Sequence, residues 1–411
     1  MERLSDAEPA QASEQGEASA DMGHVTRRAH LIFNPVAFGD TADGALARIL
    51  DLLRHHGLVV AASSTTADDP GDGVAAAALA RQPDLVIVAG GDGTIHAVAR
   101  ALLHTGTPLG IIPMGTVNNL ADALHIPTDM EAACALIATG QPHAMDAGLI
   151  DGRPFFEAVS LGVAAPFFPL AEATRHQGLV GLWRAIVKGV PLLLRSRRTV
   201  VYVEADGKRR RRFKAWEITV ANIPSTALHF AIAPDARLDD GQLDVVINAE
   251  SHWWQFTRDA LALLRGGRQH RQPYVRRMRA RHMRLLTPPG APSAPITIDG
   301  EAMGVTPATL SVAHHALNVI VASTTLADAD GNDPAAHMAR TPLAELLHSL
   351  TEPVRAPVKG ARRVATFARR YWMLGALALL VAVGVGVWRW RRSKPRPSYR
   401  RLPGRRVADE E

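Results

Sequence analysis

Leu85-Val86-Ile87-Val88-Ala89-Gly90-Gly91-Asp92-Gly93-Thr94 is the stretch richest in residues that could do chemistry. Its apolar run, bounded by turn formers, predicts a strand buried on both faces, and the apolar pattern from Ile95 predicts a helix. Glycines between the two let main-chain N–H groups approach a ligand, and the positive end of the helix favours an anion. Asp92 conflicts with a bare phosphate unless a magnesium ion lies between them. The stretch reads as a cradle for nucleotide phosphates; a ligand-free strand-to-helix turn is the competing reading. Farther on, Asp299 and Glu301 flank Gly300, a spacing that puts both carboxylates on one side of an extended segment. Either could take the proton of an attacking alcohol, although Asp-Gly is equally a hairpin turn. Asp239-Asp240-Gly241 carries the same turn alternative.

The surrounding pattern supplies a frame for these residues. Ala29–Phe33 predicts a strand that ends in Asn34-Pro35 and reaches Gly39, a second candidate phosphate loop. Leu46, Ile49, Leu50 and Leu53 mark an amphipathic helix, then Leu58–Val60 a strand running to Ser63-Ser64-Thr65-Thr66, then an alanine-rich helix near 74–82. Leu109–Pro113 predicts another strand, opening onto Met114-Gly115-Thr116-Val117-Asn118-Asn119. Thr128 and Glu131 have capping-box spacing ahead of a helix that Gly140 ends. Such alternation predicts a doubly wound α/β domain over 27–147 whose loops share the C-terminal edge of a parallel sheet. From 148 to 322, strands at 155–162, 199–203, 217–222, 243–247, 281–286, 296–298 and 317–321 predict an antiparallel β-sandwich, interrupted by helices near 178–195 and 252–265.

The chain has 411 residues, 47% of them hydrophobic, and a formal charge of +6. From Arg355 onward fifteen Lys/Arg face three Asp/Glu, a net +12 that leaves −6 for residues 1–354. Basicity around a terminal apolar segment points to a membrane, and no nucleic-acid motif accompanies it. Tyr371–Trp388 is an uncharged run of eighteen residues, near the length that spans a bilayer, so 371–390 is expected to anchor the chain. Residues 1–26 read as a disordered leader, 323–370 as a linker and 391–411 as a basic tail. The aromatic and basic stretch from Trp253 to Arg284 could also dock on an anionic bilayer. Cys134 reads as a small core residue, and His55-His56 and His314-His315 as surface residues without a partner carboxylate.

The ordered set Asn34-Pro35, Gly90–Thr94, Pro113–Asn119, Asp239–Leu243 and Asp299-Gly300-Glu301 resembles the diacylglycerol kinase catalytic family, from about Arg27 to Val321. The resemblance implies a phosphofructokinase- and NAD-kinase-like α/β nucleotide domain, a β-rich lipid domain, and a site between them that uses ATP and Mg2+. Asn34, Pro35, Phe38, Thr66 (or Thr65), Gly90, Gly91, Asp92, Gly93, Thr94, His96 and Thr116 would then hold the nucleotide. Asp92 and Asp146 match acidic positions around magnesium and ADP, while Asp240, with main-chain oxygens of Arg237 and Gln242, matches a structural magnesium site. Glu301 or Asp299 matches the proton acceptor, Glu301 being favoured. The family usually has Asn-Asp where this chain has Asn118-Asn119, and the lost charge should weaken a metal network resting there.

The expected function is transfer of the ATP γ-phosphoryl group to the hydroxyl of diacylglycerol or a related lipid. The alternatives are an NAD-kinase-like enzyme for a soluble substrate and a catalytically silent membrane lipid-binding protein. Expected partners are a lipid substrate in the bilayer and the membrane itself, through the C-terminal helix and its basic flanks. A homodimer is possible; nucleic acid is not expected. The catalytic domain would face the cytoplasm, where ATP is.

Overall fold

The computed structural model describes residues 27–115, 117–163, 198–225, 232–249 and 275–323. The first half runs β1 (Arg28–Phe33), α1 (Ala42–His55), β2 (Val59–Ser64), α2 (Asp72–Leu79), β3 (Leu85–Gly90), α3 (Asp92–Leu102), β4 (Leu109–Pro113), α4 (Asn119–Ala123) and α5 (Met130–Thr139). Its strands pair in parallel in the order β2-β1-β3-β4.

All six residues of β3 are buried. Leu85, Ile87 and Ala89 pack with Ile49 and Leu53 of α1 and Ile137 of α5. Val86 and Val88 instead pack with Ala75 of α2 and Ile95 and Val98 of α3. The period of two thus lays helices on both faces, each large buried side chain contributing about 1.5–3 kcal/mol. Cys134 is buried in α5 within this core. The cap of α5 differs from the expected capping box: Asp129 accepts from the Ala132 N–H at 2.9 Å, because it stands at the position that reaches that donor. The chain passes from β1 outward to β2 and returns on the other side as β3. The C-terminal ends of β1 and β3 therefore flank a topological switch point, where sheets of this kind bind ligands.

The second half comprises β5 (Gln141–Ile150), β6 (Arg153–Phe155), β7 (Ala158–Gly162), β8 (Thr199–Ala205), β9 (Arg211–Ala221), β10 (Leu243–Ala249), β11 (Val275–Ala280), β12 (His282–Leu286), β13 (Pro295–Ile298), β14 (Glu301–Val305) and β15 (Ala308–Val321). Pairing within it is antiparallel. β9 changes partner along its length, meeting β8 through Arg211–Ala215 and β7 through Glu217–Ala221. Strands on either side of that exchange enclose one core, with Val201, Val203, Leu285 and Leu310 against Val159, Ile218, Val245 and Ile296. β15 pairs with β5 and, at Val319 opposite Leu109, with β4, so both halves share one hydrogen-bonded sheet. β5 crosses the expected boundary at residue 147.

Part of the basic stretch expected to dock on a bilayer is β11, which pairs with β10 alone among the described strands. Its exposed Arg276 and Arg277 discourage further strand addition at that edge. The helices expected near 178–195 and 252–265, the leader, the linker beyond residue 323, the membrane helix and the basic tail lie outside the described residues. Among the described residues no helix is long and apolar enough to cross a membrane.

Candidate active site

Asn34 leaves β1 and binds in two directions. Its Oδ1 accepts from the Val36 N–H at 3.0 Å, capping a short turn over Pro35–Ala37, and its Nδ2 donates to Thr94 Oγ1 at 2.7 Å. The loop that follows leaves Val36 exposed, while Phe38 stacks back on Phe33 with ring centroids 4.7 Å apart. Phe38 therefore holds the loop from the core side. Gly91 precedes α3, and a Cβ on Gly115 would stand 2.8 Å from Gly91 Cα. That close approach brings the loop after β4 onto the loop after β3. Asn118 braces the junction: its side chain accepts from Gly115 N–H and donates to Gly115 O, both at 2.8 Å, and its N–H donates to Asp92 Oδ2 at 3.0 Å. Thr65 donates its N–H to Phe33 O beside β1, whereas Thr66 is exposed and accepts from the Asp69 N–H ahead of α2. Thr116 lies outside the described residues.

One turn into α3, His96 shares a helix face with Asp92. It is buried against the second half of the chain, with Nε2 at 3.2 Å from Glu157 Oε1 and Nδ1 at 3.8 Å from Asp299 Oδ2. Glu157 Oε2 accepts from Asn119 Nδ2 at 2.7 Å. Asp299 and Gly300, at φ +47° and +85°, make the tight turn between β13 and β14. This turn corrects the spacing argument for Asp299 and Glu301, because the two are not on one extended segment. The Asp299 carboxylate turns inward and accepts from the N–H groups of Phe156, Glu157 and Ala158 at 3.0, 2.9 and 3.1 Å. Glu301 is exposed at the start of β14.

Three strand ends and a hairpin turn thus gather a glycine loop, a buried imidazole and three carboxylates at the junction of the two halves. The sequence model for the diacylglycerol kinase catalytic domain matches residues 28–150, and that for the YegS C-terminal NAD kinase beta sandwich-like domain matches 158–321. A diacylglycerol kinase of Bacillus subtilis is 30% identical over 244 residues, 58% of this chain and 80% of that one. The chain belongs to the diacylglycerol kinase catalytic family. A second diacylglycerol kinase, from Staphylococcus carnosus, is 28% identical over 69% of this chain and 92% of its own length. The crystal structure of a diacylglycerol kinase from Bacillus anthracis has the same fold, with a TM-score of 0.57 at 19% identity over 73% of this chain and 98% of that one.

In this member of the kinase family, burial would lower the pKa of His96. The carboxylates of Glu157, Asp299 and Asp92 outweigh burial and raise it to about 9. His96 is therefore favoured as an imidazolium at neutral pH. A histidine whose pKa rises on folding stabilises the fold fully below its unfolded value near 6.5 and ceases to do so as pH climbs through about 9. Thermal melts in EDTA should accordingly show stability falling between those pH values, by on the order of 3 kcal/mol. A His96→Asn variant should lose that slope; an unchanged slope would place the titration elsewhere.

Asp146, expected beside magnesium and ADP, is fully buried in β5 with both oxygens engaged. Oδ2 accepts from Gly241 N–H at 2.6 Å, and Oδ1 meets His315 N–H at 2.8 Å and His314 Nδ1 at 2.7 Å. It anchors an irregularity in β15, where the register shifts between Ala313 and Leu317. Exposed His314 thus has a carboxylate partner, contrary to the expectation from spacing; partners distant in sequence leave no local pattern. Behind the cluster, Asn222 donates to the carbonyls of Asp146 and Phe156 at 3.0 and 3.1 Å.

At Asp240, expected with the main-chain oxygens of Arg237 and Gln242 to hold a structural magnesium, a guanidinium lies beside the carboxylate, and Oδ2 has no hydrogen-bond partner among the described residues. Asp240 Oδ1 accepts from the Gln242 N–H at 2.9 Å, and Oδ2 faces Arg279 NH1 at 3.5 Å. The same guanidinium meets Asp244 Oδ1 at 3.2 Å and donates to Asp235 O at 2.6 Å, while Arg237 faces Asp239. Burial pushes the Asp244 carboxyl above its usual range, with Arg279 opposing. A guanidinium supplies the positive charge here. Arg279→Ala should cost about 1–2 kcal/mol in denaturant unfolding, and magnesium should raise its Tm more than that of the wild type. Equal responses to magnesium would contradict the substitution of a guanidinium for a metal.

Sequence patterns do not single out Glu157 or Asn222 as site residues. Glu157 had a signal, a charge inside the apolar run Phe155-Phe156-Glu157-Ala158-Val159. Asn222, at the end of a strand pattern, had none.

Proposed function

We propose that the chain is an ATP-dependent lipid kinase that transfers the γ-phosphoryl group to the hydroxyl of diacylglycerol or a related lipid. The observation that carries this reading is the Asn34–Thr94 and Gly91–Gly115 junction at the switch point, with the Asp299 turn closing on it through His96. Main-chain N–H groups of the glycine loop and the start of α3 orient the phosphates of ATP, with Asn34 and Thr94 fixing the loop's shape. A divalent cation, magnesium in this proposal, would neutralise charge on the transferring group when bound near Asp92. Glu301 accepts the proton of the attacking hydroxyl, its exposed carboxylate standing one residue beyond the turn. Asp299, with three N–H donors on its oxygens, is a positioning residue that orients the 156–158 backbone and His96. A membrane location, with the catalytic domain on the cytoplasmic side and the lipid reached within the bilayer, completes the reading. Tethering by residues 371–390 would raise the effective concentration of that lipid.

Radiolabelled ATP offered with mixed lipids and, separately, with NAD tests the proposal. Product in the lipid phase is expected. Label in NADP would favour the soluble-substrate reading, and no product with either acceptor would favour the silent lipid-binding protein, for which Asn119 is the motive.

A further inference from the structure

Asp92 and His96 come from α3 and Glu157 from the bend between β6 and β7, yet each offers a ligand atom within 4.8 Å of the other two. His96 and Glu157 are 6% and 4% exposed, so two of the three donors are shielded from competing water, while Asp92 is half-buried. Asn119 adds an independent observation. It is 6% exposed, its Nδ2 is held on Glu157, and its Oδ1 has no hydrogen-bond partner among the described residues. A buried amide oxygen without a donor costs stability unless something electropositive satisfies it. Because both amide atoms share one carbon, the unsatisfied oxygen stays beside the cluster. Two carboxylates, an imidazole and an amide oxygen make a mixed donor set once the entering ion displaces the His96 proton. Magnesium selects oxygen ligands and keeps its waters, whereas imidazole nitrogen suits first-row transition ions.

We infer that Asp92, His96 and Glu157, supported by the Asn119 amide oxygen, form a protein-held site for a first-row divalent transition ion, preferring Mn2+ to Mg2+. The inference rests on the phosphoryl-transfer reading for the ion's purpose but not for its binding. It also gives Asn119 a reason: an aspartate there would set a second carboxylate against Glu157 in place of a donor. The lost charge at 119 is offset by Glu157 itself.

The test uses Mn2+ alone, added to the full-length protein without nucleotide or lipid and followed by the loss of the free-ion paramagnetic resonance signal. One Mn2+ per chain should bind, with Mg2+ competing at least about tenfold more weakly. Pulsed resonance on the wild-type complex should show coupling to an imidazole nitrogen, a readout that requires no variant. His96→Asn should remove that coupling and weaken Mn2+ by about tenfold or more, with folding checked by circular dichroism. Absence of binding, equal affinity for Mg2+, or bound Mn2+ without nitrogen coupling would each overturn the inference. If Mn2+ binds in this way while no acceptor is phosphorylated, the site stands and the kinase reading falls. The reverse pair of results sinks the site alone.

Discussion

Asp92→Ala is expected to lower phosphoryl transfer by about 10³-fold or more, with little change in Tm. Asp92 opens α3, and its Oδ2 receives the Asn118 N–H, so one carboxylate couples the glycine loop to the loop after β4. It is also one of the three groups converging with His96 and Glu157. Removal deletes negative charge where, in the proposed function, a cation would neutralise the transferring phosphoryl group, and it frees the loop that Asn118 ties to α3. Asp92→Asn separates the two effects, because an amide oxygen can still receive the Asn118 N–H but carries no charge. Steady-state kinetics should show kcat falling in both variants, less steeply in the asparagine form. Turnover within tenfold of wild type in the alanine variant would refute the assigned role.

Asp299→Ala should be the most destabilising substitution at the site, costing about 3–5 kcal/mol. Three main-chain N–H groups, those of Phe156, Glu157 and Ala158, end on its two oxygens. The alanine variant leaves those donors unmet and takes one of the flanking carboxylates from a buried imidazolium. Urea unfolding would measure the loss, and Asp299→Asn should recover part of it by keeping acceptor capacity. Glu301→Gln is the informative contrast. That side chain is exposed, so stability should hardly change while transfer falls by about 10²–10⁴-fold if it takes the proton. A stable Asp299→Ala protein, or a Glu301→Gln enzyme with normal turnover, would reverse the division of labour between the two carboxylates.

Residues 27–140 were legible because their signals are local. A strand covered on both faces must be continuously apolar, as 85–89 is, and a strand-to-helix turn that approaches anions must be glycine-rich. The order of motifs also carried the family, since Asn34, Gly90–Thr94 and Asp299-Gly300-Glu301 recur at spacings that a short glycine loop alone would not specify. The antiparallel texture of the second half could be read from its β-branched runs.

The sequence alone thus determined the alternating strands and helices of the first half, most strands of the second though not β5, β11 or β14, and which glycine loops could face a phosphate. Only the tertiary structure decided the partners: Glu157 for His96, three N–H groups for Asp299, Arg279 for Asp240, and His314 and Gly241 for Asp146. The physical reason is that secondary structure follows from contacts between neighbours a few residues apart. The protonation and ligand capacity of a buried group follow instead from charges that a sheet brings together across 61 to 203 residues, as the separations of His96 from Glu157 and from Asp299 illustrate.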